Sequence, residues 1–80
     1  MPDQLLQIKI ERARQDRKWG EQNHDDLYWL GILMEEVGEV AKSLIESKTS
    51  PNGERDMEIV HIAAVCVSWL ECIERRESKP

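Results

Sequence analysis

LYWLGILMEEVGEVAKSLI, residues 27–45, decides how the rest of the chain is read. Leu27, Leu30, Met34, Val37, Ala41 and Leu44 recur at the alternating three- and four-residue spacing of one helix face. Trp29, Leu33 and Val40 widen that stripe. The spacing predicts a helix from about Leu27 to Ser47 with this stripe buried. Three carboxylates, Glu35, Glu36 and Glu39, interrupt the apolar run and call for a chemical reason.

Upstream lies KWGEQNHDD, residues 18–26, whose Gly20 and polar run have loop chemistry. Asp25 or Asp26 is suited to cap the helix that follows. Before the loop, a mostly polar segment from Asp3 to Arg17 reads as a peripheral helix. Asp3 is its cap, and Leu6, Ile10 and Ala13 share one stripe. Downstream, KTSPNGE, residues 48–54, carries the turn formers Pro51, Asn52 and Gly53. So short a link joins antiparallel helices.

The last helix is expected to start near Glu54 to Asp56 and to run to about Glu77. Acids at its start and Arg75 and Arg76 near its end suit the helix dipole. From Ile59 to Ile73, 12 of 15 residues are apolar, so this helix is greasy on nearly all sides. Three helices cannot cover it, which points to a bundle completed by a second copy of the chain. No alternating strand pattern and no internal repeat occurs. The fold class expected is therefore all-α, an antiparallel helical bundle of about three helices per chain.

The 80 residues suffice for one small domain, and a net charge of −5 argues against broad binding to a nucleic acid polymer or an anionic membrane. The N-terminus is polar and charged, unlike a signal peptide, and the apolar stretch of the last helix is too short to span a bilayer. Cys66 and Cys72 stand six apart, on different faces of one helix, and read as small buried hydrophobes in a reducing cytoplasm.

Residues three and four apart share a helix face, so Glu39 points with Glu35 and with Glu36. Glu58 and His61 are likewise three apart on the last helix. Glu39 precedes Pro51 by 12 residues and Glu58 follows it by seven. In an antiparallel pair the two groups can therefore face each other as an oxygen-rich cage for a hard divalent cation. Clustered, partly buried carboxylates repel and take up protons; a divalent ion removes that penalty. The plainer alternative is a solvated face, since Glu is a good helix former. His61 alone reads as a hydrogen-bonded core residue, Trp19 and Trp69 as packing aromatics, and Lys18 as a surface residue. Glu58-x-x-His61 also matches one ligand element of di-iron bundles, a reading that leaves the loop and EEVGE unexplained.

Three blocks, ERARQDRKWGEQNH (11–24), EEVGEVAK (35–42) and EIVHIAAVCVSWLE (58–71), together resemble the small MazG-like proteins of phages and bacteria. These belong to the all-α nucleoside triphosphate pyrophosphohydrolase superfamily, with MazG and the dimeric dUTPases. The resemblance covers about residues 8–74 and implies one MazG-like helical domain over residues 1–80. It implies hydrolysis of a nucleoside triphosphate to a monophosphate and pyrophosphate, with Mg²⁺ or Mn²⁺ as cofactor, in a homodimer or homotetramer. The family pattern is EExxE on one helix and ExxD on the next. Carried over, Glu36, Glu39 and Glu58 are metal ligands, and His61 stands where the pattern has Asp. Glu35 is the residue to hold the attacking water. Lys18 would lie toward phosphate, Trp19 would stack or pack, and Gln22, Asn23 and His24 would bond base or sugar. A module of the same fold that binds nucleotides or itself, without turnover, is the alternative, with His61 as its mark.

Overall fold

The computed structural model describes residues 3–46 and 52–78, the side chains of 52–54 excepted. Its three helices are α1 (Gln4–Trp19), α2 (Asp26–Glu46) and α3 (Asn52–Ser78), and no strand occurs among the described residues. The turn read at residues 48–54 lies partly outside the described residues, Pro51 included. Asn52 and Gly53, taken as turn formers, already belong to the first turn of α3.

Local chemistry sets the helix ends. Asp3 adopts a left-handed conformation with φ 51° and accepts a hydrogen bond from the Leu6 amide at 3.0 Å. α1 runs past Arg17, so Lys18 and Trp19 are its last turn rather than part of the loop. Gly20 ends it at φ 71°, a conformation that costs glycine little, and donates its amide to the Asp16 carbonyl at 2.9 Å. Of the two candidate caps for α2, Asp25 takes the role, accepting from the Tyr28 amide at 2.8 Å. Asp26 is thereby free to accept from Trp69 Nε1 at 3.0 Å and to pair with Arg76 at 3.1 Å.

α3 is the centre of the arrangement. α2 packs antiparallel along one side of it and α1 along another, and α1 and α2 do not pack on each other. The result measures 51 × 27 × 18 Å. With α1 and α2 each packed on α3 and not on each other, little is buried. The described apolar core is Trp29, Val60, Ala64, Val65 and Cys72, with Ile32, Leu33 and Trp69 packed against it.

Of the stripe the spacing predicts to be buried, only the residues that widen it, Trp29, Leu33 and Val40, face inward. Trp29 is buried, with Ile32, Leu33, Glu36 and Val40 partly buried along the same side. The expected stripe of Leu27, Leu30, Met34, Val37, Ala41 and Leu44 faces outward, with Leu27 at 78% exposure and Leu44 at 58%. α2 carries two apolar arcs, and periodicity alone cannot tell which meets α3. Trp29 has the largest apolar surface on the helix and takes its own arc inward. The same inversion occurs in α1. Leu6, Ile10 and Ala13 are exposed, whereas Glu11 and Gln15 are buried. On α3, Ile59 and Leu70 stay exposed, as expected of a helix apolar on nearly all sides.

Candidate functional site

Antiparallel pairing of α2 and α3 brings Glu36 opposite the turn of α3 that carries Glu58 and His61. Each of these three side chains offers a ligand atom within 4.8 Å of the others, and all three are partly buried. Among the described residues this is the one group of His, Cys, Asp or Glu side chains spaced to hold an ion. Glu36 Oε2 and Glu58 Oε2 are buried and have no hydrogen-bond partner. Such orphaned oxygens are rare and call for an explanation. Burial pushes the Glu36 carboxyl above its ordinary range, and the charges of Glu39, Glu58 and Glu11 push it the same way against His61. Two unsatisfied carboxylate oxygens beside an imidazole form a donor set that fits a divalent cation.

Glu39 and Glu35 are exposed and stand outside this group. Glu39 is still near enough for its charge to raise the Glu36 carboxyl.

Glu11, on α1, is the charged residue that the sequence reading passed over. It is 4% exposed and takes three hydrogen bonds from its own helix. Arg14 Nε donates to Oε1 at 2.8 Å, while Arg14 Nη2 and Gln15 Nε2 donate to Oε2 at 2.8 and 3.1 Å. The Arg14 hydrogen bond holds the Glu11 carboxyl below its ordinary range despite burial, and the nearby His61 adds to this. Oε2 lies 3.7 Å from His61 Nε2. Glu11, Arg14 and Gln15 stand three and four apart in ERARQ, a spacing that signals a side-chain network on one face.

A cleft of about 810 Å³ opens beside the cluster. Glu36 and His61 contribute to its wall, with Glu11 and Arg14 from α1 and the aromatics Trp19, His24, Tyr28 and Trp29. Trp19, Gln22, Asn23 and His24, four residues assigned to substrate, line it together. Lys18 does not; its ammonium sits 4.7 Å from the centre of the Trp19 ring as a cation–π pair.

The end of α3 holds the loop in place. Arg75 Nη2 donates to the Gln22 carbonyl at 2.8 Å and Arg75 Nε to Asn23 Oδ1 at 3.1 Å. Arg76 Nη2 donates to the His24 carbonyl at 3.0 Å. The His24 ring packs on Tyr28 at 4.4 Å and edge-on to Trp29 at 5.0 Å between centroids. His24 Nε2 and Gln22 Oε1 are 3.1 Å apart. Asp26 is held below its ordinary range by the Trp69 indole and the Arg76 guanidinium.

Comparison of the chain with family models, curated proteins and solved structures returns no match. No described helix is long and apolar enough to cross a membrane.

Proposed function

We propose that the protein is a divalent-metal-dependent nucleoside triphosphate pyrophosphohydrolase acting as a homo-oligomer. The observation that carries this reading is the pair of buried oxygens of Glu36 and Glu58 without hydrogen-bond partners, set beside His61 at the edge of an aromatic-lined cleft. Glu36, Glu58 and His61 would hold the ion, with Glu39 supplying further negative charge from the exposed side. Bound Mg²⁺ or Mn²⁺ would neutralise charge developing on the phosphate oxygens. Glu35 is the carboxylate proposed to hold the water directed at the α-phosphorus, so that a Pα–O bond forms and the bond to pyrophosphate breaks. Trp19 and Tyr28 offer faces on which a base can stack, and Gln22, Asn23 and His24 offer polar groups to it or to the sugar. Lys18, engaged with Trp19, can reach phosphate only by leaving that ring.

The exposed apolar face of α2 supports the oligomer. Leu27, Leu30, Met34 and Leu44 are each more than two-fifths exposed, and Val37 and Ala41 are exposed between them. A continuous apolar stripe of this length on an 80-residue chain supports the reading of this face as the interface with a second copy.

The test is pyrophosphate release from a panel of ordinary and modified nucleoside triphosphates, with Mg²⁺, with Mn²⁺ and with chelator. Release that needs metal is the expected result. A folded protein that releases nothing from any of them would leave the binding module, which His61 in place of the pattern's Asp favours.

A further inference from the structure

Glu11 comes from α1, outside both acidic pairs, yet its carboxylate meets the cluster through His61. Its two oxygens are fixed by Arg14 and Gln15 from the same helix, at 2.8 to 3.1 Å. With both oxygens engaged, Glu11 is not an open ligand like Glu36 or Glu58. What it offers is a fixed negative acceptor beside one nitrogen of the imidazole. Glu11 Oε2 faces His61 Nε2 at 3.7 Å, and Glu58 Oε2 faces His61 Nδ1 at 4.0 Å. The ring therefore stands between a clamped carboxylate and an unclamped one. Metal-binding histidines typically give their second ring N–H to a carboxylate, which fixes the tautomer and aims the other nitrogen at the ion.

We propose that Glu11 is a positioning residue that commits His61 to metal binding through Nδ1, resting on the reading of Glu36 and Glu58 as a metal site. Glu11 keeps the proton on Nε2, and Nδ1 presents its lone pair toward Glu36 and Glu58. At 3.7 Å the two atoms are neighbours and not yet hydrogen-bonded, so the role proposed for Glu11 requires the His61 ring to turn until Nε2–H donates to Oε2. The site built this way has two carboxylates and one imidazole, so it prefers Mn²⁺ to Mg²⁺, because imidazole suits the harder ion poorly. Arg14 acts at one further remove: by occupying Glu11 it prevents that carboxylate from joining the ion itself.

The experiment is calorimetric titration of the full chain with Mn²⁺ and with Mg²⁺, without nucleotide. Glu11→Gln is compared in the native sequence and in a His61→Asp background. In the native sequence it is expected to weaken Mn²⁺ by about 10–100-fold, the usual cost of losing such a partner, and Mg²⁺ by much less. In the His61→Asp background, where no imidazole remains at the site, it is expected to change Mn²⁺ affinity by less than about threefold. Equal losses in both backgrounds, or none in either, overturn the positioning role. Glu36→Gln separates the two readings: if it binds Mn²⁺ as the native chain does, or if the native chain binds none, the metal site itself is refuted. Helix content by circular dichroism accompanies each titration. Should Glu11→Gln unfold, Glu11→Gln with Arg14→Gln, which also removes the unpaired cation, is titrated in its place and must meet the same criteria.

Discussion

Glu36 and Glu58, on antiparallel helices, each carry a buried side-chain oxygen without a hydrogen-bond partner, and their ligand atoms lie within 4.8 Å of each other. In a metal-free protein this contact is repulsive, so it works against the packing of α2 on α3. The same contact becomes favourable once a divalent charge lies between the two carboxylates.

Removing the Glu36 charge should therefore reverse its effect with metal. Glu36→Gln without metal is expected to melt several degrees higher than the native chain, since about 1 kcal/mol moves a domain of this size by about 4–8 °C. If Glu36 and Glu58 hold the ion as proposed, the order reverses in excess Mn²⁺, because the native chain then gains binding energy and the variant gains little. Thermal melts with chelator and with Mn²⁺ test this. A native chain more stable than Glu36→Gln in chelator would show that the cluster is not under strain.

The pH dependence follows from the sign of the shift. Glu36 has its carboxyl raised in the folded state, chiefly by burial. The folded state thus favours the protonated form, and that stabilising effect is fully present below the ordinary carboxylate range and lost as pH rises through the raised value. In metal-free protein the advantage of Glu36→Gln over the native chain should shrink as pH falls from neutral toward the ordinary value of 4.5. Glu11 moves the other way, its carboxyl lowered chiefly by Arg14, so its contribution is present above the ordinary range and is lost in stronger acid. Denaturant melts of the two chains between about pH 4 and pH 7 measure the difference. A gap that stays constant over that interval would refute the raised Glu36 carboxyl.

The loop offers a separate test. Arg75 ties the Gln22 carbonyl and Asn23 Oδ1 to α3. Arg75→Ala is expected to cost about 1 kcal/mol, as for loss of hydrogen bonds made by a partly exposed charge. Amide exchange over residues 20–25 should accelerate, while the interior of α3 stays protected. Equal acceleration throughout α3 would mean that Arg75 supports the helix and not the loop.

The three helices were legible from periodicity, loop residues and caps. The register about Pro51 led to the expectation that Glu36 and Glu39 face Glu58 and His61; the structure brings Glu36 to that pair and leaves Glu39 exposed. The inward face was not legible. α2 has one apolar arc through Leu27 and Leu44 and another through Trp29 and Leu33, and a single sequence does not say which meets another helix of the same chain. Glu11 was hidden for a related reason. A charged residue on a polar helix reads as solvated until the helix is seen to turn that face inward. The partners that make its burial tolerable, Arg14 and Gln15, lie beside it in the sequence, so the network was visible as spacing but not as a site.

The outward stripe of α2 carries its own symmetry, which permits a sharper prediction than self-association alone. Leu27 with Leu44, Leu30 with Ala41 and Met34 with Val37 are three pairs about the midpoint between Glu35 and Glu36. An antiparallel crossing of two α2 helices on a two-fold axis at that point would match apolar residues along the full stripe. Cysteine pairs can read this register, in a Cys66→Ala background with Cys72 buried at 3% exposure. Chains carrying both Leu27→Cys and Leu44→Cys should oxidise to covalent dimers. Leu27→Cys alone should not, because the two copies of position 27 would stand about 25 Å apart along the helices. Cross-linking by Leu27→Cys alone would indicate parallel helices, and failure of both variants would place the interface elsewhere. Gly38 adds an independent sign test. A Cβ there would meet nothing within 4 Å in the isolated chain, so Gly38→Ala should stabilise a monomer by roughly 0.5–1 kcal/mol through helix propensity. Beside a closely packed second α2 the added methyl would instead crowd the partner and weaken association, which sedimentation equilibrium of the variant measures against the native chain.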